Sequence, residues 1–316
     1  MMKPLRLRLP ATSANLGPGF DAAAIALDFH LNIEAESADR FSIEATGRDA
    51  ERCARLTDNL VLDTYSRILA ERGLSARPLA LKMHNEIPLG MGCGSSAAGR
   101  LAAIALASHF GELNLSEAEI LEEAAALEGH PDNAAACWLG GFVTAATEEH
   151  KVLYARVNPP KEWRALVVLP ADPLATSQAR ALLPESYSRR DAVENVQSAA
   201  LLGLAFAQGR GELLHVAMKD KMHQPFRARV CRLLPPLLPL PGRDGILGVA
   251  LSGAGPSVLV VLESESAVEK AKKAVLEAIE QSEDEQKVMP AFIACTFSQE
   301  GATQEMSKPA EKSSAQ

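Results

Sequence analysis

The residues best suited to chemistry fall in a few short, glycine-bearing strings. Pro88-Leu89-Gly90-Met91-Gly92-Cys93-Gly94-Ser95-Ser96-Ala97-Ala98 sets three glycines in five residues ahead of two serines. A run of strong helix formers follows, to Phe110. Small residues there leave backbone N–H groups open at a helix N-terminus, an anion site suited to the phosphates of a nucleotide. A strand-to-helix turn without a ligand is the plain alternative. Gly92 to Ala97 also fits the dinucleotide pattern G-x-G-x-x-A. That pattern needs a continuously apolar strand before it, whereas Leu79, Leu81 and Met83 alternate and lead into His84-Asn85-Glu86. No Gly-Lys-Ser/Thr is present, so the loop is not a Walker A motif either. A third type of phosphate loop is left.

Glu128 ends a helix that Ser116-Glu-Ala-Glu119 opens as a capping box, and Gly129-His130-Pro131-Asp132-Asn133 follows it as a dense polar turn. A lone Glu in a last turn is more often a solvated surface group. Beside a loop serine it could instead hold Mg²⁺, which takes one or two protein oxygens plus phosphate and water. In Ser13-Ala-Asn-Leu-Gly-Pro-Gly-Phe-Asp21, Asn15 and Asp21 could grip an ammonium or hydroxyl group. An Asx-type turn is the competing account. Ser252-Gly253-Ala254-Gly255-Pro256-Ser257 reads first as a hairpin turn. Arg180 and Arg227 sit in ordinary-looking segments, although two arginines can clamp a carboxylate.

The elements that must position these groups mix strands and helices without steady alternation, which predicts an α+β fold. Strands are expected over Leu5–Leu9, Ala22–Ile33, Leu79–Met83 and Ala165–Leu169, with a loop from Pro10 to Asp21. A helix should run from Asp58-Asn59 to Gly73. Ile246–Leu251 and Val258–Leu262 form a hairpin, then a helix and a last strand, 292–297. Asn158-Pro-Pro160 is the best linker, giving domains 1–157 and 158–298. Residues 299–316, polar and poor in large apolar groups, are expected to be a disordered tail.

Composition narrows the partners. The chain has 316 residues, 32 basic against 40 acidic side chains and a net charge of −8. That balance opposes nucleic acid and anionic membrane, and 4% aromatics gives no base-stacking platform. Five scattered cysteines form no metal or disulfide pattern and suit a reducing cytoplasm. No signal peptide or membrane span is visible.

Taken together, the three glycine strings in this order resemble the small-molecule kinases named after galactokinase, homoserine kinase, mevalonate kinase and phosphomevalonate kinase, to about residue 298. The loop Pro10–Asp21 and the string Glu128–Asn133 look like the homoserine-phosphorylating branch. The resemblance implies a two-domain kinase, the first domain with a left-handed β-α-β crossover and the second ferredoxin-like. It implies ATP on Pro88–Ala98 with Asn59 near the adenine, Mg²⁺ on Ser96 and Glu128, and support from Gly253 and Gly255. Asn15, Asp21 and Asp132 would contact the amine and hydroxyl of L-homoserine, and Arg180 and Arg227 its carboxylate. Asp132, Asn133 and Thr176 would line the reacting centre, with no strong side-chain base and the hydroxyl proton passing to water or phosphate. A homodimer and a place in threonine biosynthesis are further implications. Other readings are a kinase for another small alcohol, a catalytically silent ligand binder, or an RNA-associated protein. The chain departs from the family pattern at Met91 and Cys93, which predicts altered loop packing or ATP affinity rather than loss of activity, and at Ala22-Ala-Ala-Ile25, in the floor of the substrate loop.

Overall fold

In a computed structural model of the chain, residues 2–282 and 289–306 are described. Their strands, in chain order, are β1 (Leu5–Asn15), β2 (Gly19–Ser37), β3 (Ser42–Gly47), β4 (Leu79–Asn85), β5 (Phe142–Glu148) and β6 (Lys151–Val157), then β7 (Arg164–Leu169), β8 (Ile246–Leu251), β9 (Val258–Leu262), β10 (Ala291–Cys295) and β11 (Thr303–Met306). They make two sheets. One has the order β11-β1-β2-β4-β3, with β5 on the far part of β2 and β6 on β5; the other is β10-β7-β9-β8.

Leu5, Leu7 and Leu9 are buried while Arg6 and Arg8 are exposed, so the first sheet keeps one face wet, as the alternation predicts. Its buried face carries the helix Ser95–Phe110, in which eleven of sixteen residues are buried. Six buried alanines and Gly99 let the backbone approach β1 and the flanking helices Leu60–Glu71 and Glu117–Glu128. Burying this helix on nearly every side fixes its N-terminus, and therefore the loop before it. β3 and β4 are parallel and joined through the helix Leu60–Glu71; the other pairings of this sheet are antiparallel.

The second sheet is wholly antiparallel. With helices between β7 and β8 and between β9 and β10, its order corresponds to 4-1-3-2 in chain sequence, the ferredoxin-like arrangement. Alternate residues of β7 face two cores: Ala165, Val167 and Leu169 join the first, Leu166 and Val168 the second.

Two expectations are corrected. The segment after Pro10 is not a loop but the continuation of β1, shifted in register by a bulge between Pro10 and Ala11. Strand β11 pairs only Leu5 to Arg8, so the missing N–H of Pro10 interrupts no ladder there. The expected disordered tail, 299–316, does not begin at residue 299, because β11 closes the open edge of β1. Residues 307–316 lie outside the described residues. The chain passes from the first sheet to the second between Val157 and Arg164.

Candidate active site

The phosphate loop is shaped by alternation. Gly90, Gly92 and Gly94 have φ of 71°, 75° and 73°, and each lines a cleft of about 340 Å³. The intervening Met91 and Cys93 turn away from the cleft and pack on the first core. Burial pushes the Cys93 thiol up to about 12, so it stays protonated and serves as packing. Ser95, Ser96 and Ala97 continue the lining at the helix N-terminus, whereas Pro88, Ala98 and Gly255 are not part of it. Two strings from elsewhere brace the loop. Thr12 N–H donates to the Cys93 carbonyl at 3.1 Å, and Ser252 Oγ lies 2.8 Å from both the Gly92 carbonyl oxygen and Ser13 Oγ. The Ser252–Ser257 turn therefore ties the two sheets together at the loop.

Ser96 Oγ donates to Glu128 Oε1 at 2.7 Å. Arg100, one helical turn beyond Ser96, reaches the same oxygen with Nε at 3.1 Å. Sequence reasoning missed Arg100, although its i+4 spacing from Ser96 was a usable signal. The Glu128 side chain is only 10% exposed, so a cation beside it meets a carboxylate with little water to screen it. An oxygen pair of this kind, facing a phosphate loop, fits the donor set of Mg²⁺.

Beyond Glu128 the polar turn opens the helix Asp132–Leu139. Asp132 is buried, and its Oδ1 accepts from His130 Nδ1 at 2.5 Å and from the Asn133 N–H at 2.6 Å. Asn133 Oδ1 accepts from Thr12 Oγ1 at 2.7 Å. Burial opposes the His130 imidazolium, but the hydrogen bond and charge of Asp132 outweigh it and raise the His130 pKa. His130 is a second residue that sequence reasoning passed over; its place between Glu128 and Asp132 was the signal. A native pKa above the unfolded value of about 6.5 means the pair stabilises fully below that pH and less as pH climbs through the native value. His130→Asn should accordingly lower Tm more at about pH 6 than at about pH 9. An equal loss at both would show that no charged pair forms.

The turn between β1 and β2 supplies the rest. Asn15, Leu16 and Asp21 hold φ of 69°, 48° and 54°, positions L-residues seldom adopt and which cluster at functional sites. Asn15 Oδ1 accepts from Asp21 N–H at 3.0 Å, and its Nδ2 donates to the Gly253 carbonyl at 2.8 Å. Asp21 receives both Nη atoms of Arg180, at 3.0 and 2.6 Å, across 159 residues. Arg227 is wholly buried, and both it and Arg180 stand 5.4 Å from the Phe20 ring centroid.

Asn15, Asp21, Asn59, Glu128, Asp132, Asn133, Arg180, Arg227 and Gly253 all line the cleft. The Asn59 amide is fully engaged, however: it caps the helix Leu60–Glu71 and donates to the Cys53 and Arg55 carbonyls. Thr176 opens a short helix, Thr176–Arg180, and its side chain lies outside the described residues.

A cleft between two α+β units, with a helix-terminal glycine loop at one end and carboxylates and guanidinium groups at the other, defines a small-molecule phosphotransferase. Residues 59–141 match the GHMP kinases N terminal domain, and residues 204–281 match GHMP kinases C terminal. The homoserine kinase of Solibacter usitatus is 45% identical over 258 residues, 81% of this chain and 84% of that protein. The homoserine kinase of Deinococcus radiodurans is 37% identical over 81% of this chain and 84% of its own length. A crystal structure of homoserine kinase from Cytophaga hutchinsonii superposes with a TM-score of 0.77 at 23% identity, covering 96% of this chain and 98% of that one. The chain belongs to the GHMP kinases and, within them, to the homoserine kinase family.

Proposed function

We propose that this cleft transfers the γ-phosphoryl group of ATP to the side-chain hydroxyl of L-homoserine. The observation that carries the reading is the pairing of opposite recognition groups at one end of the cleft: carboxylates at Asp21 and Asp132, guanidinium groups at Arg180 and Arg227. An amino acid's ammonium and carboxylate need that pair of charges, whereas a sugar or an isoprenoid acid does not.

The residues act by positioning, which is most of what phosphoryl transfer asks of a protein. Backbone N–H groups of Gly90 to Ser96 hold the triphosphate, and the helix N-terminus behind them adds its dipole. The hydrophobic pocket around Leu60, Val61 and Met83 takes the base. Mg²⁺ held by Ser96 and Glu128 would neutralise phosphate charge. Asn133, fixed by Thr12 and Asp132, and Asn15, fixed by the Asp21 amide and Gly253, aim the hydroxyl. The substrate oxygen forms a bond to the γ-phosphorus as the bond to the β,γ-bridging oxygen breaks, and ADP leaves. The hydroxyl proton passes to phosphate oxygen or water. Asp132 supports this route, since its Oδ1 already accepts three hydrogen bonds and faces the raised-pKa His130.

Arg180 is engaged by Asp21 in this structure. Homoserine would exchange that intramolecular pair for two intermolecular ones, its carboxylate on Arg180 and its ammonium on Asp21. Residues 1–157 with β11 form one wall of the cleft and 158–298 the other. Five free thiols support a cytoplasmic setting. Two copies of the chain associate, and light scattering should return twice the 33.7 kDa chain mass.

Analogues test the recognition. γ-Hydroxybutyrate, which lacks the amine, and homoserine amide, which lacks the carboxylate, should each lose about 100-fold or more in kcat/KM, because a charge built to receive the missing group loses its partner. Equal turnover of the amide and the acid would remove the arginines from the site.

A further inference from the structure

Four residues before Arg227, on the turn entering its helix, His223 is 0% exposed. Its Nε2 lies 2.8 Å from the Gly17 carbonyl oxygen, in the substrate turn, and its Nδ1 lies 3.1 Å from Arg227 Nη1. A carbonyl can only accept and a guanidinium can only donate. The two partners therefore fix a neutral ring with its hydrogen on Nε2, donating to Gly17 and accepting from Arg227.

The surroundings hold that ring still. Asp220 Oδ2 accepts from the backbone N–H of His223 at 2.9 Å and of Gln224 at 2.6 Å. Gln224 Oε1 accepts from Leu251 N–H at the end of β8. On the ring's face sits Phe20, 5.4 Å centroid to centroid and tilted by 30°. Phe20 is also the ring shared by the guanidinium groups of Arg180 and Arg227, both at 5.4 Å. One aromatic side chain thus spaces two like charges, and one imidazole joins the buried arginine to the opposite wall of the cleft.

We propose that His223 is a positioning residue for substrate selection: it locks Arg227 and the Gly17 turn into one frame, with Phe20 setting the separation of the two guanidinium groups that receive a carboxylate. The proposal rests on the reading that Arg227 binds the carboxylate of homoserine. Arginine carries large rotamer freedom, so an unlocked Arg227 would bind the same carboxylate more weakly without altering the nucleotide loop.

The test compares His223→Leu, His223→Gln, Phe20→Leu and Arg227→Lys in the full chain, measuring kcat, both KM values and Tm. His223→Leu should raise KM for L-homoserine about 10-fold or more while KM for ATP stays within about twofold. Glutamine retains one donor and one acceptor and should recover most of that loss. Phe20→Leu, which leaves the bonds of His223 intact, should raise the same KM about fivefold. A purely structural role would lower Tm and the active fraction in the leucine variant with both KM values unchanged, which overturns the proposal. If His223→Leu does not fold, an unchanged homoserine KM in Phe20→Leu overturns it instead. A raised homoserine KM in Arg227→Lys beside unchanged values at His223 and Phe20 refutes the positioning role alone. No change in Arg227→Lys refutes the carboxylate reading, and this proposal with it.

Discussion

Replacing Glu128 by glutamine should lower kcat about 100-fold or more and raise the Mg²⁺ concentration needed for half-maximal rate. The change is isosteric, and a glutamine oxygen can still accept from Ser96 Oγ, so the fold and the homoserine end of the cleft should be untouched. What is lost is charge. Glu128 Oε1 now faces Ser96 and Arg100 together, at 2.7 and 3.1 Å. With glutamine there, the uncompensated Arg100 cation stands where the proposed Mg²⁺ would bind. Arg100→Lys is the informative companion: it keeps the countercharge and should cost far less. Steady-state rates across a Mg²⁺ titration check both, and Glu128→Gln with unchanged kinetics at low Mg²⁺ would remove the residue from the metal site.

The second large effect is expected at Gly92. A Cβ added there would lie 2.2 Å from the Ser252 carbonyl oxygen and 2.9 Å from that of Gly255, on a backbone with φ of +75°. Both neighbours are main chain in the turn between β8 and β9, so neither can step aside cheaply. Overpacking costs about 1–3 kcal/mol and the left-handed backbone about 1–2 kcal/mol more. Gly92→Ala should therefore raise KM for ATP by one to two orders of magnitude and lower Tm. Gly73 is the control, with φ of +72° and nothing within 4 Å of an added Cβ. Gly73→Ala should show the backbone cost alone, with normal ATP affinity. Nucleotide titration beside a melting curve separates the two, and a normal ATP KM in Gly92→Ala would contradict the bracing role of the Ser252–Ser257 turn.

Much of the local structure at the proposed nucleotide end was legible because its signals are local. Three glycines with positive φ, a serine pair and a capping box are each short local signals, and helix, turn and loop stand where those patterns predict. The substrate end was legible only as residue types. Asp21 and Arg180 are 159 positions apart, and no periodicity announces that they meet. The same limit hid the role of His223, although its i+4 spacing from Arg227 was available to be weighed. Strand β11 failed for another reason. Thr303-Gln-Glu-Met306 carries no apolar alternation, and it forms because β1 offers an unpaired edge, a property of the neighbour rather than of the segment. Asn59 shows how a residue can serve both levels: its side chain caps the helix Leu60–Glu71 while the residue lines the cleft.

The net charge of −8 also gains a meaning. An acidic chain that takes up ATP cannot rely on its overall field, and on the proposed reading attraction falls to oriented backbone N–H groups and a divalent cation, with Arg180 and Arg227 serving the substrate carboxylate. Those features act over a few ångströms, so the rate should depend weakly on ionic strength.

The most direct test of the central claim is ADP release with ATP, Mg²⁺ and one candidate alcohol at a time: L-homoserine, mevalonate, galactose or shikimate. The charge pairing at the substrate end predicts turnover with L-homoserine, with the product carrying phosphate on its side-chain oxygen and the other three near background. Preferential turnover of any of those three would contradict it.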